Sequence, residues 1–323
     1  MDKIGDHAIV LGASIGGLLA ARVLADFYRT VTLVERDVLP MGTEHRRGVP
    51  QGRHGHALLA RGAQMMDELF PGLLDDLVAE GAPVVADGDL TAFYFVLGGH
   101  PMVRSGRFGD RRATYAPSRP LLESTIRQRL RAIPNITICD GHNVGDLTAT
   151  TDRRRITGVR VGSRSGVQTL AADLVVDAMG RGGRTPALLE KLGYGRPVEE
   201  HVFVHVTYRS QLMHIAHGTL SEKLVMVGAQ PGRSTGMALF GYENDTWLFT
   251  TAGMAGYDPP RDLAGMIAFV EPFTPAHVVA AIRSAEPLGA WVGNTPGRVP
   301  GVLPRVGDHG VCVTISVPTA CSR

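Results

Sequence analysis

The chain has 323 residues, 44% hydrophobic and 20% charged, with a formal net charge of +2. That composition excludes a disordered chain and gives no global electrostatic case for nucleic acid or a membrane surface. Three cysteines without metal-ligand spacing (Cys139, Cys312, Cys321) exclude a disulfide framework and a zinc site, and no apolar run reaches the ~18–20 residues of a spanning helix.

Residues 7–11 (HAIVL) form a short apolar run of the kind a fully buried parallel strand shows. Gly12-Ala13-Ser14-Ile15-Gly16-Gly17 follows, then LLAARVLADFY with apolar residues at helical spacing, then a second strand at 31–34 ending at Glu35. Each piece has a physical role. Gly12 allows a sharp strand-to-helix turn, a small residue at Ser14 lets the backbone approach a pyrophosphate, and Gly17 permits close helix–sheet packing. The helix N-terminus offers free N–H groups and the positive end of its dipole to the diphosphate. Glu35 lies 18 residues after Gly17, where a carboxylate can accept from a ribose diol. The acid favours a 2′-hydroxyl over a 2′-phosphate, so NADP is not expected in this site. The unit alone does not separate NAD from FAD, and a βαβ turn without a dinucleotide is the alternative.

Residues 44–56 carry His45, Arg46, Arg47, Arg53, His54 and His56 just after the second strand. His54 and His56 share a side if the segment is extended. No third ligand has metal spacing, so no metal is expected. The plain alternative is a solvated basic loop. Beyond it, 92–97 and 101–104 read as a hairpin around Gly98-Gly99, and 135–139 as another strand. Residues 144–150, 156–161 and 167–170 read as a β-meander. Leu174 to Val176 is a buried strand capped by Asp177, with Gly180, Gly182 and Gly183 in a loop before a helix from about Pro186. The alternating stretch 200–209 predicts one long strand with Val202, Val204, Val206 and Tyr208 on one face. Strands near 223–228, 235–241 and 246–252 and helices near 260–270 and 275–284 follow.

The segments GASIGGLLAARVL, VERD, RDVLPMGTEHRRGVPQGRHGHALLARG, PSRPLLESTIRQRL and DLVVDAMGRGGRTPALLEKLGYGRP together resemble the FAD-dependent aromatic hydroxylase superfamily, in its 2-polyprenyl-6-methoxyphenol hydroxylase-like branch. The resemblance implies an α/β fold. A Rossmann-like FAD-binding domain of the glutathione-reductase type (1–87 and 107–195) would carry an inserted antiparallel β-sheet substrate domain (88–106 and 196–285). It implies that Gly12, Ser14, Gly16 and Gly17 approach the FAD pyrophosphate. Glu35 would hold the adenosine ribose, with Arg36 beside it. Arg46 or Arg47 would neutralise phosphate or attract NAD(P)H. Arg119 would contact FAD, and Asp177 and Gly180 would form the second FAD motif. Gly307-Asp308 matches the motif whose aspartate touches the ribityl chain, but the glycine- and proline-rich loop and long helix of the family do not follow it. A truncated or frame-shifted chain, with 286–323 an incomplete end of the FAD domain, is therefore expected.

The implied chemistry is reduction of FAD by NAD(P)H, reaction with O₂ to a C4a-hydroperoxide, and hydroxylation of a small aromatic or polyketide-like molecule. His54 is the candidate acid–base residue, since histidine titrates near neutrality. A flavin-dependent reductase and a non-catalytic FAD-fold remnant are the alternatives. A halogenase is disfavoured: the lysines are Lys3, Lys191 and Lys223, and Trp247 and Trp291 lie far apart. A cytoplasmic protein binding neither nucleic acid nor membrane is expected.

Overall fold

Strand β1 (Gly5–Leu11) is buried through residues 8–11, as its unbroken apolar run requires, and sits at the centre of a sheet. The structure, a computed structural model, describes residues 2–109, 113–180, 183–195, 200–202, 205–293, 299–301 and 313–314. Helix α1 (Ile15–Phe27) follows β1 and buries Ile15, Leu18, Ala21 and Ala25, one stripe at three- and four-residue spacing. Then come β2 (Tyr28–Val34), α2 (Arg119–Arg131), β3 (Ile136–Cys139) and β4 (Leu174–Asp177). The parallel sheet runs Val313–Thr314, β4, β1, β2, β3. Its register aligns Leu11 with both Val34 and Asp177. Gly12, Glu35 and Ala178 therefore emerge at one carboxyl edge, where open α/β sheets bind ligands.

One face of this sheet packs on α1, α2 and the helices Ala60–Leu69 and Leu73–Ala79. The other packs on a three-stranded antiparallel meander of Asn143–Ala149, Ile156–Ser163 and Gly166–Ala171. This meander matches the one read from the sequence.

The second sheet has eight strands, in which β5 (Val206–His214), β6 (Leu224–Val227), β7 (Thr235–Gly241) and β8 (Thr246–Met254) run in spatial order β5-β8-β7-β6. Beyond β6 lies Phe93–Leu97, paired parallel to it, and then its hairpin partner His100–Pro101. Gly98 and Gly99 both have positive φ (59° and 89°), the conformation a type I′ hairpin turn demands. Helices α3 (Leu263–Val270) and α4 (Ala276–Ser284) cover one face of this sheet through Met213, Val225, Val227, Met237, Leu239, Trp247 and Phe249. The opposite face presents Leu212, Leu224, Met226, Ala238, Phe240 and Leu248. Among the described residues, no helix is long and apolar enough to cross a membrane.

One expectation needs correction. Residues 200–209 are not one strand: Glu200–Val202 pairs with Val299–Gly301 in a separate two-stranded sheet, and β5 runs on to His214. The polar run Arg209-Ser210-Gln211 looks like a strand end in sequence. It is instead buried, because Ser210 shares a hydrogen bond with Thr250 on β8 and Gln211 donates to the carbonyls of Leu212 and Gly289. The strand also covers a core on both faces rather than one.

Candidate functional site

The turn after β1 is built by exclusion of side chains. Gly12 has φ +96°, and a Cβ there would lie 2.8 Å from the carbonyl oxygen of Ala178. A Cβ on Gly17 would lie 1.7 Å from the carbonyl oxygen of Gly12. The turns at the ends of β1 and β4 thus touch backbone to backbone. Ser14 is the N-cap of α1 in an extended conformation, but its hydroxyl does not cap the helix. The first-turn N–H groups of a helix have no intrahelical partner, and here they face the common edge of β1, β2 and β4.

A buried charged cluster stands beside this turn. Arg46 Nη2 lies 2.7 Å from Glu35 Oε2, and its Nη1 donates to the Ala13 carbonyl (2.7 Å) and to Glu123 Oε2 (3.3 Å). Arg46 Nε is buried with no hydrogen-bond partner. Glu35 also accepts from the amides of Ala13 (2.8 Å) and Asp37 (3.0 Å). Glu123 Oε1 accepts from Ser14 Oγ (2.7 Å), Arg119 Nε (3.0 Å) and Arg119 Nη2 (2.9 Å). Arg119, Glu123 and Arg127 form a buried stripe at four-residue spacing on α2. Burial pushes Arg127 below the usual guanidinium range, against the pull of Glu123. A cleft of about 280 Å³ opens at the end of β2, lined by Asp37, Val38, Pro40, His45, Arg46 and Arg47.

A second polar group lies on the opposite face of the eight-stranded sheet, the one not covered by α3 and α4. His54 Nδ1 is 3.0 Å from Ser210 Oγ, which is 2.8 Å from Thr250 Oγ1, and the ring tilts against Tyr208. Gly55 fits under the ring of Phe240, and the Tyr242 hydroxyl bonds both the amide and the carbonyl of His56. The loop of 54–56 is thereby fastened to the sheet. Burial holds His54 below the usual histidine range.

No family model matches the chain. Over 290 residues it is 42% identical to protein Rv3254 of Mycobacterium tuberculosis, a match covering 88% of this chain and 61% of that protein. The chain thus spans 61% of that relative's length. The structure matches PqsL of Pseudomonas aeruginosa, a probable FAD-dependent monooxygenase, with a TM-score of 0.66 at 14% identity over 90% of this chain and 73% of PqsL. The chain has the fold of the flavin-dependent monooxygenases. The flavin-dependent brominase Bmp2 shares that fold (TM-score 0.67, 15% identity, 95% of this chain and 71% of Bmp2), so the fold by itself does not choose between oxygen and halogen transfer.

In this monooxygenase fold, Gly12, Ser14, Gly16, Gly17, Glu35, Arg46, Arg119, Asp177 and Gly180 gather around the edge of the parallel sheet. Asp177 is buried, accepts from the Met179 amide at 2.8 Å, and has its carboxyl raised by burial against the pull of that amide. Gly180 has φ +63° and open space at its Cβ position. Arg36 stays apart: it is mostly exposed and its partner is Asp37, at 3.8 Å. His54 is bonded to the sheet face through Ser210. Asp308 lies outside the described residues. Glu123 and Arg127 were not read from the sequence. The signal was present in Arg119, Glu123 and Arg127 falling on one helix face, an i, i+4, i+8 alternation of charge.

His56 supplies a pH test of this packing. Its Nε2 is buried without a partner, and burial, together with Arg119, lowers its pKa from 6.5 to about 4. The folded protein binds this proton less readily than the unfolded chain. The associated stability is therefore complete above pH 6.5 and is lost as pH falls towards 4, by about 3 kcal/mol. Urea denaturation at pH 7 and pH 4 should show this loss in the parent and a smaller one in His56→Gln. Equal losses would contradict it.

Proposed function

We propose that the chain binds FAD at the edge of the parallel sheet and serves an NAD(P)H-driven monooxygenase acting on a small aromatic or polyketide-like molecule. The observation that carries the reading is the turn at residues 12–17. Two glycines there cannot bear a Cβ, and the buried Arg46, with an unused Nε, stands beside a helix N-terminus. Backbone donors, a dipole and guanidinium groups suit a dinucleotide diphosphate.

On this reading the amides of the turn and Ser14 bind the diphosphate, with Arg46 and Arg119 balancing its charge. Glu35 uses three acceptor positions on Ala13, Asp37 and Arg46, and a carboxylate has about four, so one is left for a ribose hydroxyl. Asp177 and Gly180 form the second turn along the cofactor. Bound flavin would supply electron transfer from nicotinamide and activation of O₂. The protein's part is to position substrate over the face carrying Tyr208, Ser210, Leu212, Leu248 and Thr250, and to exclude water there. His54, held at Nδ1 by Ser210, is placed to exchange a substrate proton at Nε2.

Protein reconstituted with FAD and mixed with NADH or NADPH should bleach the flavin band and consume O₂. Offered phenolic and polyketide-like aromatics, it should give products heavier by one oxygen atom. Retained flavin that neither nicotinamide reduces would overturn the co-substrate assignment, and reduction without oxygenated product would favour a reductase.

A further inference from the structure

The charged cluster is balanced before any ligand is considered. Arg46 and Arg119 pair with Glu35, Asp37 and Glu123, and Arg127, whose Nη2 donates to the carbonyls of Pro40 and Gly42, adds its charge within the field of Glu123. Within it, Glu123 takes three donors on one oxygen, from Ser14 and Arg119, and Arg46 on the other. Arg119 Nη2 also donates to Ser14 Oγ at 2.9 Å, closing a ring of contacts over the start of α1. The space beside this contact, lined by His45, Arg46, Arg119, Glu123 and Arg127 among others, is about 10 Å³, room for about one water molecule. A phosphate group cannot be added there without moving a side chain.

We infer that Glu123 is an internal competitor for the diphosphate site: its carboxylate occupies Arg46, Arg119 and Ser14, the same donors a diphosphate needs, and so sets how tightly that anion binds. Two independent observations point to an anion at this place. One is the N-terminus of α1, whose first-turn amides have no intrahelical partner and which the Ser14 side chain does not cap. The other is Arg46, whose side chain is only 4% exposed and whose Nε has no partner. A guanidinium with a spare buried N–H can turn from carboxylate to phosphate, because both offer paired oxygens. Entry of a diphosphate adds negative charge to a neutral cluster at short range in a poorly solvated site, so one carboxylate fewer shifts affinity strongly.

The opposite role is equally concrete. If Glu123 merely holds Arg119 and Arg46 in position, its removal weakens anion binding and stability together. A competitor's removal weakens stability and strengthens anion binding. The two readouts therefore move in opposite directions only if Glu123 competes with the anion. The inference rests on the proposed flavin site for the identity of the dinucleotide, but not for the recognition of a diphosphate.

The test compares the parent chain, Glu123→Gln, and the exposed control Glu68→Gln, each titrated with inorganic pyrophosphate, ADP and FAD, with thermal unfolding followed alongside. Glu123→Gln should unfold several degrees lower, recover most of that loss in pyrophosphate, and bind pyrophosphate and ADP about tenfold tighter than the parent. Glu68→Gln should match the parent. If Glu123→Gln is too unstable to purify, Glu123→Asp keeps the charge but draws it back from Ser14, and a severalfold tightening is expected. Weaker pyrophosphate binding in either variant, or binding unchanged, overturns the inference. Tighter pyrophosphate binding with no FAD binding in any protein would leave the inference standing and remove the flavin reading. FAD binding in the parent, with weaker pyrophosphate binding in the variants, would do the reverse.

Discussion

Gly17→Ala is expected to cost the fold about 4 kcal/mol or more. The added Cβ would sit 1.7 Å from the carbonyl oxygen of Gly12 and 3.5 Å from the Cβ of Ala178. The first contact is with backbone, so no rotamer change relieves it. Helix α1 would have to lift from β1, and Leu18 and Ala21, both fully buried, would lose their packing against the sheet. Gly180→Ala is the matched control. It has open space at the Cβ position and only the strain of φ +63° to bear, about 1 kcal/mol. Urea denaturation of the two variants beside the parent measures the difference. A Gly17→Ala protein that unfolds at the parent's midpoint would show that α1 does not lie on β1 as described.

Arg46→Met is expected to be nearly as damaging, for an electrostatic reason. Methionine replaces much of the volume but none of the charge, and it leaves Glu35 and Glu123 facing each other's site without the cation between them. Breaking a buried pair by removing one partner typically costs about 3–5 kcal/mol, since the remaining charge stays out of water. The double variant Arg46→Met/Glu35→Gln should recover part of that loss, which a double-mutant cycle in urea would read as coupling between the two positions. On the proposed reading, the same change also removes a guanidinium from the diphosphate, and FAD affinity should fall by about a hundredfold or more. Additive losses in the cycle would mean that Arg46 and Glu35 do not act as a pair.

The parts of the fold that could be read in sequence share a property: their signal is local. The run HAIVL, the glycine turn and the helical spacing after it give β1 and α1 within a residue or two, and the Gly98-Gly99 pair gives its hairpin. The meander of 143–171 shows itself by alternation and by charged or small turn residues. What failed was non-local. Strand β5 looks interrupted at Arg209-Ser210-Gln211 because the partners that make those residues tolerable, Thr250 and the carbonyl of Gly289, lie 40 and 78 residues away. The charged cluster was read in pieces for the same reason. Arg46 and Arg119 are visible as cations near motifs, but their burial against Glu35 and Glu123 requires β2, the loop after it and α2 to meet in space. The loop position of His54 is legible in sequence, but its partner Ser210 is not, because Tyr242 and Phe240, which fasten residues 54–56 to the second sheet, lie far along the chain.

On the proposed reading, the turn at residues 12–17, with Arg46 and Arg119 beside it, takes up the diphosphate of a flavin. Titrating the purified chain with FAD, while following flavin fluorescence and retention through gel filtration, tests it most directly. One FAD per chain, with altered fluorescence, competition by ADP and a large loss of affinity in Arg46→Met, is the expected result. Free FAD in every fraction, or binding that neither ADP nor Arg46→Met disturbs, would contradict it.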